Sequence, residues 1–107
     1  MDIAQVSNKI VNSWPGFEKY SLRNQILRAA ISIPGNIAEG NSRVSVKDKK
    51  RFIEIALGSE FELETQVILS QNLNISDKNS LEQLVNQIRE EQKLISSFIR
   101  LLTQEIQ

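Results

Sequence analysis

Apolar residues recur along most of the chain at intervals of three and four, the spacing that places them on one face of an α-helix. No stretch alternates apolar and polar residues for long, and dipeptides typical of β-hairpin turns are absent, so no strand is predicted. Four helices with short connections favour an antiparallel up-down bundle in one all-α domain, residues 1–107. The predicted helices, with their caps, cover residues 2–13, 21–40, 45–72 and 76–104.

Helix-breaking and helix-capping residues agree with these four segments. Trp14-Pro15-Gly16 ends the first helix, because proline lacks an amide donor and disfavours helix in the residue before it. Pro34-Gly35 lies inside the second pattern and is predicted to kink that helix without ending it, since the apolar spacing resumes at Ile37. The other boundaries are predicted from caps: Ser21, Ser45 with Asp48 three residues later, and Ser76-Asp77 at helix starts, and Gly40 at a helix end.

The third helix carries more apolar residues than one side of a bundle helix requires. One apolar stripe runs from Phe52 to Val67, and a second stripe, rotated around the helix, runs from Ile53 to Ile68. One stripe packs inside the monomer and the other needs cover from a second copy, so a homo-oligomer is predicted. A single wide core face is the alternative. The predicted oligomer-interface residues are Ile53, Leu57 and Phe61, and the fourth helix repeats the pattern with Leu94 and Leu101.

Composition excludes several classes of protein. The 107 residues include no cysteine and no histidine, so disulfides, thiolate chemistry, the usual general base and the commonest metal ligand are all missing. No apolar run approaches the roughly 20 residues that a membrane span needs. The start at Met1 lacks the basic and apolar segments of a secretory signal, so a cytoplasmic location without membrane association is expected.

The net charge of zero conceals an uneven distribution. Residues 1–53 hold nine Lys/Arg against four Asp/Glu, a balance of +5, and residues 54–107 hold the reverse, a balance of −5. Basic residues around a helix start favour binding to the backbone phosphates of RNA or DNA. A solvated helix start, or attraction between neighbouring helices or subunits, is the alternative. The predicted nucleic-acid-binding residues are Arg43, Lys47, Lys49, Lys50 and Arg51, joined by Lys19 and Arg23.

Four glutamates were candidates for a metal or catalytic site. Di-metal bundles use Glu-x-x-His pairs, and this chain has no histidine. Glu60, Glu62 and Glu64 also alternate along one helix, so they point in different directions. No metal, no cofactor and no enzymatic activity are therefore predicted. A buried or half-buried structural network is expected instead, in which Arg28 pairs with Glu39 and Glu62.

Two motifs at fixed spacing resemble the signature of a known family. They are Asn-Ile-Ala-Glu-Gly at residues 36–40 and Gly-Ser-x-x-Glu-Leu-Glu at residues 58–64, preceded by Trp14-Pro15 and Ser32-Ile33-Pro34. The family is usually called bacterial four-helix bundle protein. It includes proteins encoded in intervening sequences of large-subunit ribosomal RNA genes and the accessory variability determinant of diversity-generating retroelements. The resemblance implies an antiparallel four-helix bundle that assembles into a ring-like homopentamer.

Two functions follow from the resemblance and the charge pattern. The first is a non-enzymatic RNA- or DNA-binding accessory that partners a reverse transcriptase, as in the retroelement branch. The second is a self-assembling scaffold that binds a protein partner, of the ribosomal RNA intervening-sequence type, for which no activity is known. The zero net charge and short first helix depart from the basic retroelement branch.

Overall fold

The four predicted helices are present, and their ends agree with the capping residues to within about two residues. The computed structural model describes residues 2–12, 14, 20–73 and 77–106, and within these ranges all regular structure is helical, which confirms the all-α class. Pro15-Gly16 and Ser76, predicted as a break and a cap, lie outside the described residues. The helices are α1 (Ile3–Asn12), α2 (Tyr20–Asn41), α3 (Val46–Asn72) and α4 (Lys78–Ile106).

Each helix packs against its neighbours in sequence, and α1 closes the bundle by packing against both α2 and α4. The backbones of the diagonal pairs, α1 with α3 and α2 with α4, do not approach each other closely within the described residues. Helices α2 and α3 are antiparallel, because Ser32 meets Ser59 at 2.8 Å whereas Gly40, later in α2, faces the earlier Phe52. The result is an elongated four-helix bundle of 49 × 21 × 21 Å.

Two residues fix the corner where α2 turns into α3. A side chain at Gly40 would place its Cβ 3.2 Å from both the Lys49 carbonyl oxygen and the Phe52 Cβ, so glycine allows the two helices to approach closely here. Ser45 is extended, and its Oγ accepts a hydrogen bond from the Asp48 amide at 3.1 Å. This confirms the predicted cap, and it fixes the direction in which the first turn of α3 leaves the corner.

The core face of α3 is wider than a single stripe. Ile53 is 0% exposed within the chain and belongs to the same core as Leu63 and Val67, so its assignment to an oligomer interface is wrong. The reason is that α3 contacts α2 on one side and α4 on the other, so residues from both stripes are covered within one chain. Leu57 is half-buried against this core, whereas Phe61 is 51% exposed and stays a predicted interface residue.

Within the described residues, α1 lies beside only part of the length of α4. The first turn of α1, at Asp2–Ala4, lies beside Pro34 of α2 and Glu91 of α4. Helix α4 continues from there to Ile106, and α1 does not cover that part. Leu94 and Leu101 are accordingly exposed, as predicted for residues off the core stripe.

Candidate functional site

Five basic residues surround the corner between α2 and α3, and we call this set the basic corner. Arg43 lies in the connection, and the others lie in the first two turns of α3. Spacing of three and four places Lys47, Lys50 and Arg51 on one side of α3. Lys47 and Arg51 are exposed, and Lys50 is half-buried. The full set is Arg43, Lys47, Lys49, Lys50 and Arg51.

A phenylalanine organises the two arginines of the basic corner. The guanidinium carbons of Arg43 and Arg51 lie 4.7 and 5.0 Å from the centroid of the Phe52 ring. Each contact of this kind contributes about 0.5–1 kcal/mol at an exposed site. The sequence pattern assigned Phe52 only to the core stripe, because nothing in the spacing indicates that Arg43 folds back over α3.

Most of the charge at the basic corner is not neutralised by neighbouring carboxylates. Arg43 Nη2 donates to Glu39 Oε2 at 3.0 Å, one turn earlier on α2. In the described part of the chain, Lys47, Lys49, Lys50 and Arg51 form no ion pair within 4.0 Å. Four cations at one end of the bundle therefore remain available to an external anion.

The second group of predicted cations does not join the basic corner. Arg23 lies near the start of α2, eighteen positions before Asn41 at the corner. At 1.5 Å per residue this is a distance of about 27 Å along the axis. The prediction that Arg23 extends the patch is therefore wrong, and Lys19 lies outside the described residues.

The expected buried network of Arg28, Glu39 and Glu62 is also wrong. All three side chains are exposed, and Glu39 pairs with Arg43 instead. Arg28 and Glu62 line one open groove between α2 and α3. They point outward because the inner part of this seam is filled by small side chains, among them Ala29 and Ser59.

Among the described residues, the buried carboxyl is that of Glu60, which is 0% exposed. Its burial and the neighbouring carboxyl of Glu91 raise the pKa of Glu60 to about 9. Spacing of three and seven from the core residues Leu63 and Val67 was a signal that Glu60 faces inward. Arg28 was predicted to be buried and is exposed, so residue type alone does not show which ionisable side chain lies in the core.

Glu64 lies one turn after Glu60 and has the opposite environment. Its carboxylate accepts hydrogen bonds from Gln92 Nε2 at 2.9 Å and from Arg89 Nε at 2.8 Å. These bonds hold the pKa of Glu64 below its usual value. Glu60 and Glu64 thus lie in opposite environments. The described residues contain no group of three or more Asp, Glu, His or Cys that could hold a metal ion.

Comparison with known proteins supports the resemblance that the two motifs indicate. The family described as 23S rRNA-intervening sequence protein matches residues 1–97 of the chain. The chain belongs to this family. No match was found among curated proteins.

A solved structure shares the fold of this family member. It is the crystal structure, at 1.70 Å resolution, of a protein with unknown function from the S23 ribosomal protein family from Bacteroides thetaiotaomicron VPI-5482. The two chains are 25% identical, with a TM-score of 0.76, and the match covers 91% of this chain and 97% of the other. The family and the four-helix bundle are therefore confirmed by both sequence and structure.

Besides the basic corner, this intervening-sequence protein has two exposed apolar surfaces. One is a groove between α2 and α3, which we call the α2–α3 groove, where Leu22, Phe61 and Leu69 lie beside Gln25 and Glu62. The other, the α4 stripe, consists of the exposed Leu94 and Leu101 and the half-buried Phe98 between them. No described helix is long and apolar enough to cross a membrane.

Proposed function

We propose that this chain is a non-enzymatic protein that binds the phosphate backbone of RNA or DNA through the basic corner. The observation that carries the proposal is the set of four cations that have no ion pair among the described residues. They surround the capped start of α3, where the helix dipole adds positive potential.

The contacts available at the basic corner favour phosphates over bases. Lysine and arginine side chains bind phosphate oxygens without reading sequence. Single-strand binding uses aromatic rings on which bases stack. Phe52 is half-buried, and Arg43 and Arg51 lie over its ring, so it is a poor platform for a base. We therefore expect binding that weakens steeply with salt and discriminates little between sequences.

Self-assembly is the second part of the proposal. The α2–α3 groove and the α4 stripe expose Phe61, Leu69, Leu94 and Leu101, each to 46% or more. Apolar surfaces of this kind are typical of contacts between subunits. A homo-oligomer, a ring-like pentamer by the family resemblance, would repeat the basic corner once per subunit. Linked weak contacts then bind more tightly than one alone.

The experiment compares two triple variants of the full chain that change the net charge equally. The first reverses the basic corner with Lys47→Glu, Lys50→Glu and Arg51→Glu. The matched control reverses three exposed cations of α4 with Lys78→Glu, Lys93→Glu and Arg100→Glu. Binding of a labelled structured RNA is measured by fluorescence anisotropy across a salt series that starts at about 50 mM.

We expect the first variant to lose RNA binding, with a drop of at least about tenfold in affinity, and the control to keep most of it. Light scattering checks that both variants keep the assembly state of the parent chain. Equal losses in the two variants, or no binding by the parent chain at the lowest salt, would contradict the proposal.

A second function is favoured by the α2–α3 groove, which combines apolar residues with the exposed charges of Arg28 and Glu62. In this function the assembled bundle is a scaffold for a protein partner. The reverse transcriptase implied by the retroelement branch stays a predicted partner of the first function, in which the chain binds RNA or DNA. Absence of RNA binding in the parent chain, together with an intact oligomer, would favour the scaffold.

A further inference from the structure

The cations of the basic corner are of two kinds. Arg43 and Arg51 each contact the Phe52 ring, with guanidinium carbons 4.7 and 5.0 Å from its centroid. The lysines of the corner make no contact of this kind and no ion pair within the described residues. The two arginines are thus held in place, whereas each lysine carries a compact charge on a flexible stem.

The ring that holds the two arginines is itself fixed by the fold. Phe52 is half-buried, and its Cβ would lie 3.2 Å from a Cβ at Gly40, so the start of its side chain packs against the backbone of α2. The next residue, Ile53, is 0% exposed and belongs to the core. The close approach of α2 and α3 at Gly40 therefore sets the direction in which the ring leaves α3.

Arg43 is also held by contacts other than the ring. Its amide donates to the Gly40 carbonyl oxygen at 3.1 Å, which turns the chain back towards α3 directly after α2. Its Nη2 donates to Glu39 Oε2 at 3.0 Å. A guanidinium has five N–H donors, so this bond leaves others for an external acceptor. Arg51 has no ion pair within the described residues, and Phe52 has no polar side-chain atom that would compete for its donors.

The two guanidiniums face the same small region of a ligand. Because both lie against one ring, their carbons are at most 9.7 Å apart, the sum of the two distances to its centroid. One strand of a duplex carries a phosphate about every 3.4 Å along the helix axis, so this span covers about three phosphates at most. A planar guanidinium binds phosphate oxygens through two parallel hydrogen bonds, which a lysine ammonium cannot form. Side chains that are already held in place also lose less conformational entropy on binding.

We propose that Arg43 and Arg51, positioned by Phe52, form a guanidinium clamp for neighbouring backbone phosphates of one nucleic-acid strand. This inference rests on the proposed function, and it names the residues of the basic corner that contact phosphate in a fixed geometry. The lysines of the corner supply attraction that depends on their charge alone. The clamp depends in addition on the shape of the guanidinium and on the aromatic ring that holds it.

The first test keeps every charge and changes only the shape of the cations. The full chain with Arg43→Lys and Arg51→Lys is compared with the parent chain and with a matched control, Arg28→Lys and Arg100→Lys, which changes two exposed arginines outside the basic corner. The affinity for a labelled structured RNA is measured by fluorescence anisotropy across a salt series. We expect the clamp variant to lose at least about fivefold in affinity, because the paired hydrogen bonds are lost. Its salt dependence should equal that of the parent chain, because the number of cations is unchanged.

The second test addresses the ring. Phe52→Leu keeps an apolar side chain without an aromatic face, whereas Phe52→Tyr keeps the ring. We expect Phe52→Leu to weaken RNA binding by at least about threefold, because two cation–π contacts are lost, and Phe52→Tyr to bind like the parent chain. Far-UV circular dichroism and light scattering check that both variants keep the helicity and the assembly state of the parent chain. Retention of binding with tyrosine separates positioning by the ring from a loss of packing at Gly40.

Equal affinity of the parent chain and the clamp variant would overturn the clamp and leave the proposed function intact, because charge alone would then explain the binding. An equal loss in the control with Arg28→Lys and Arg100→Lys would overturn it as well. Unchanged binding in Phe52→Leu, or equal losses in Phe52→Leu and Phe52→Tyr, would overturn the role of the ring. If Phe52→Leu does not fold, the first test decides alone. If the parent chain binds no RNA at about 50 mM salt, the proposed function fails and the clamp fails with it.

Discussion

Helix α3 is joined to its two neighbours by different polar chemistry. At the α2–α3 seam, Ser32 Oγ and Ser59 Oγ lie 2.8 Å apart, and Asn36 Nδ2 donates to the Ser32 carbonyl oxygen and hydroxyl at 2.8 and 2.9 Å. At the α3–α4 seam, the polar groups are the carboxyls of Glu60 and Glu64. The polar groups of the first seam are uncharged, whereas the carboxyls of the second seam can gain or lose a proton as the pH changes.

The α2–α3 seam combines uncharged polar groups with close packing, whereas the α3–α4 seam is sensitive to pH. Hydroxyl and amide groups keep their hydrogen bonds at every ordinary pH. Further along this seam, the missing side chain of Gly40 lets α2 and α3 approach closely. At the other seam, the Glu60 carboxyl receives no hydrogen bond, and the bonds to Glu64 depend on the charge of its carboxylate. The two seams should therefore respond differently to substitution and to pH, and three substitutions test this.

The largest effect is expected at Glu60, and its sign is unusual for a core position. Replacing Glu60 with leucine removes a buried carboxyl that has no donor and keeps a similar volume. We expect the free energy of unfolding at neutral pH to rise by about 1–4 kcal/mol, as when buried charges are replaced by apolar side chains. Chemical denaturation measures it.

The control for this substitution is Glu54→Leu, at an exposed position of the same helix that lies outside the α2–α3 groove. It should change the free energy of unfolding by no more than about 0.5 kcal/mol. A clear loss of stability in Glu60→Leu, with the control unchanged, would show that Glu60 makes favourable contacts at the α3–α4 seam after all.

A smaller effect of opposite sign is expected at Glu64. Replacing it with alanine leaves Gln92, which is 9% exposed, without its partner and removes the ion pair with Arg89. We expect a loss of about 1.5–3 kcal/mol at neutral pH, the range for hydrogen bonds to charged groups.

The lowered pKa of Glu64 also gives this loss a pH dependence. The stabilisation by Glu64 is present above its ordinary value of 4.5 and is lost as the pH falls through the lower folded value. Thermal melts of Glu64→Ala and the parent chain should therefore converge in acid. A difference in melting temperature that stays constant down to about pH 2 would contradict the assigned bonds.

Local signals were sufficient to predict the helices but not the partners of charged side chains. Ser45 caps α3 through its own hydroxyl, and Pro34 lies within a continuous α2, as the apolar spacing predicted. Both features depend on residues that are close in sequence. The family motifs similarly predicted the bundle and the intervening-sequence family.

The failures involve contacts between helices. Ile53 was predicted at an oligomer interface because the apolar pattern does not show that α3 packs on two sides. Arg23 was predicted to extend a basic patch that lies about 27 Å away along α2. Arg28 was predicted to be buried in the bundle and Glu60 was not, although its spacing of three from Leu63 places Glu60 on the core face of α3. The basic corner was predictable because its members are close together in sequence, whereas the position of Phe52 under two arginines was not.

The smallest effect is expected at the neutral seam. Replacing Ser32 with alanine leaves the hydroxyl of Ser59, which is 7% exposed, without its partner and removes one acceptor of Asn36. The Asn36 amide keeps its bond to the backbone carbonyl of residue 32, so we expect a loss of only about 0.5–1.5 kcal/mol. Because neither hydroxyl titrates, this loss should be the same at about pH 5 and about pH 8. Denaturation curves at the two pH values measure it, and a loss that changes with pH would mean that the α2–α3 seam is coupled to the carboxyls on the other side of α3.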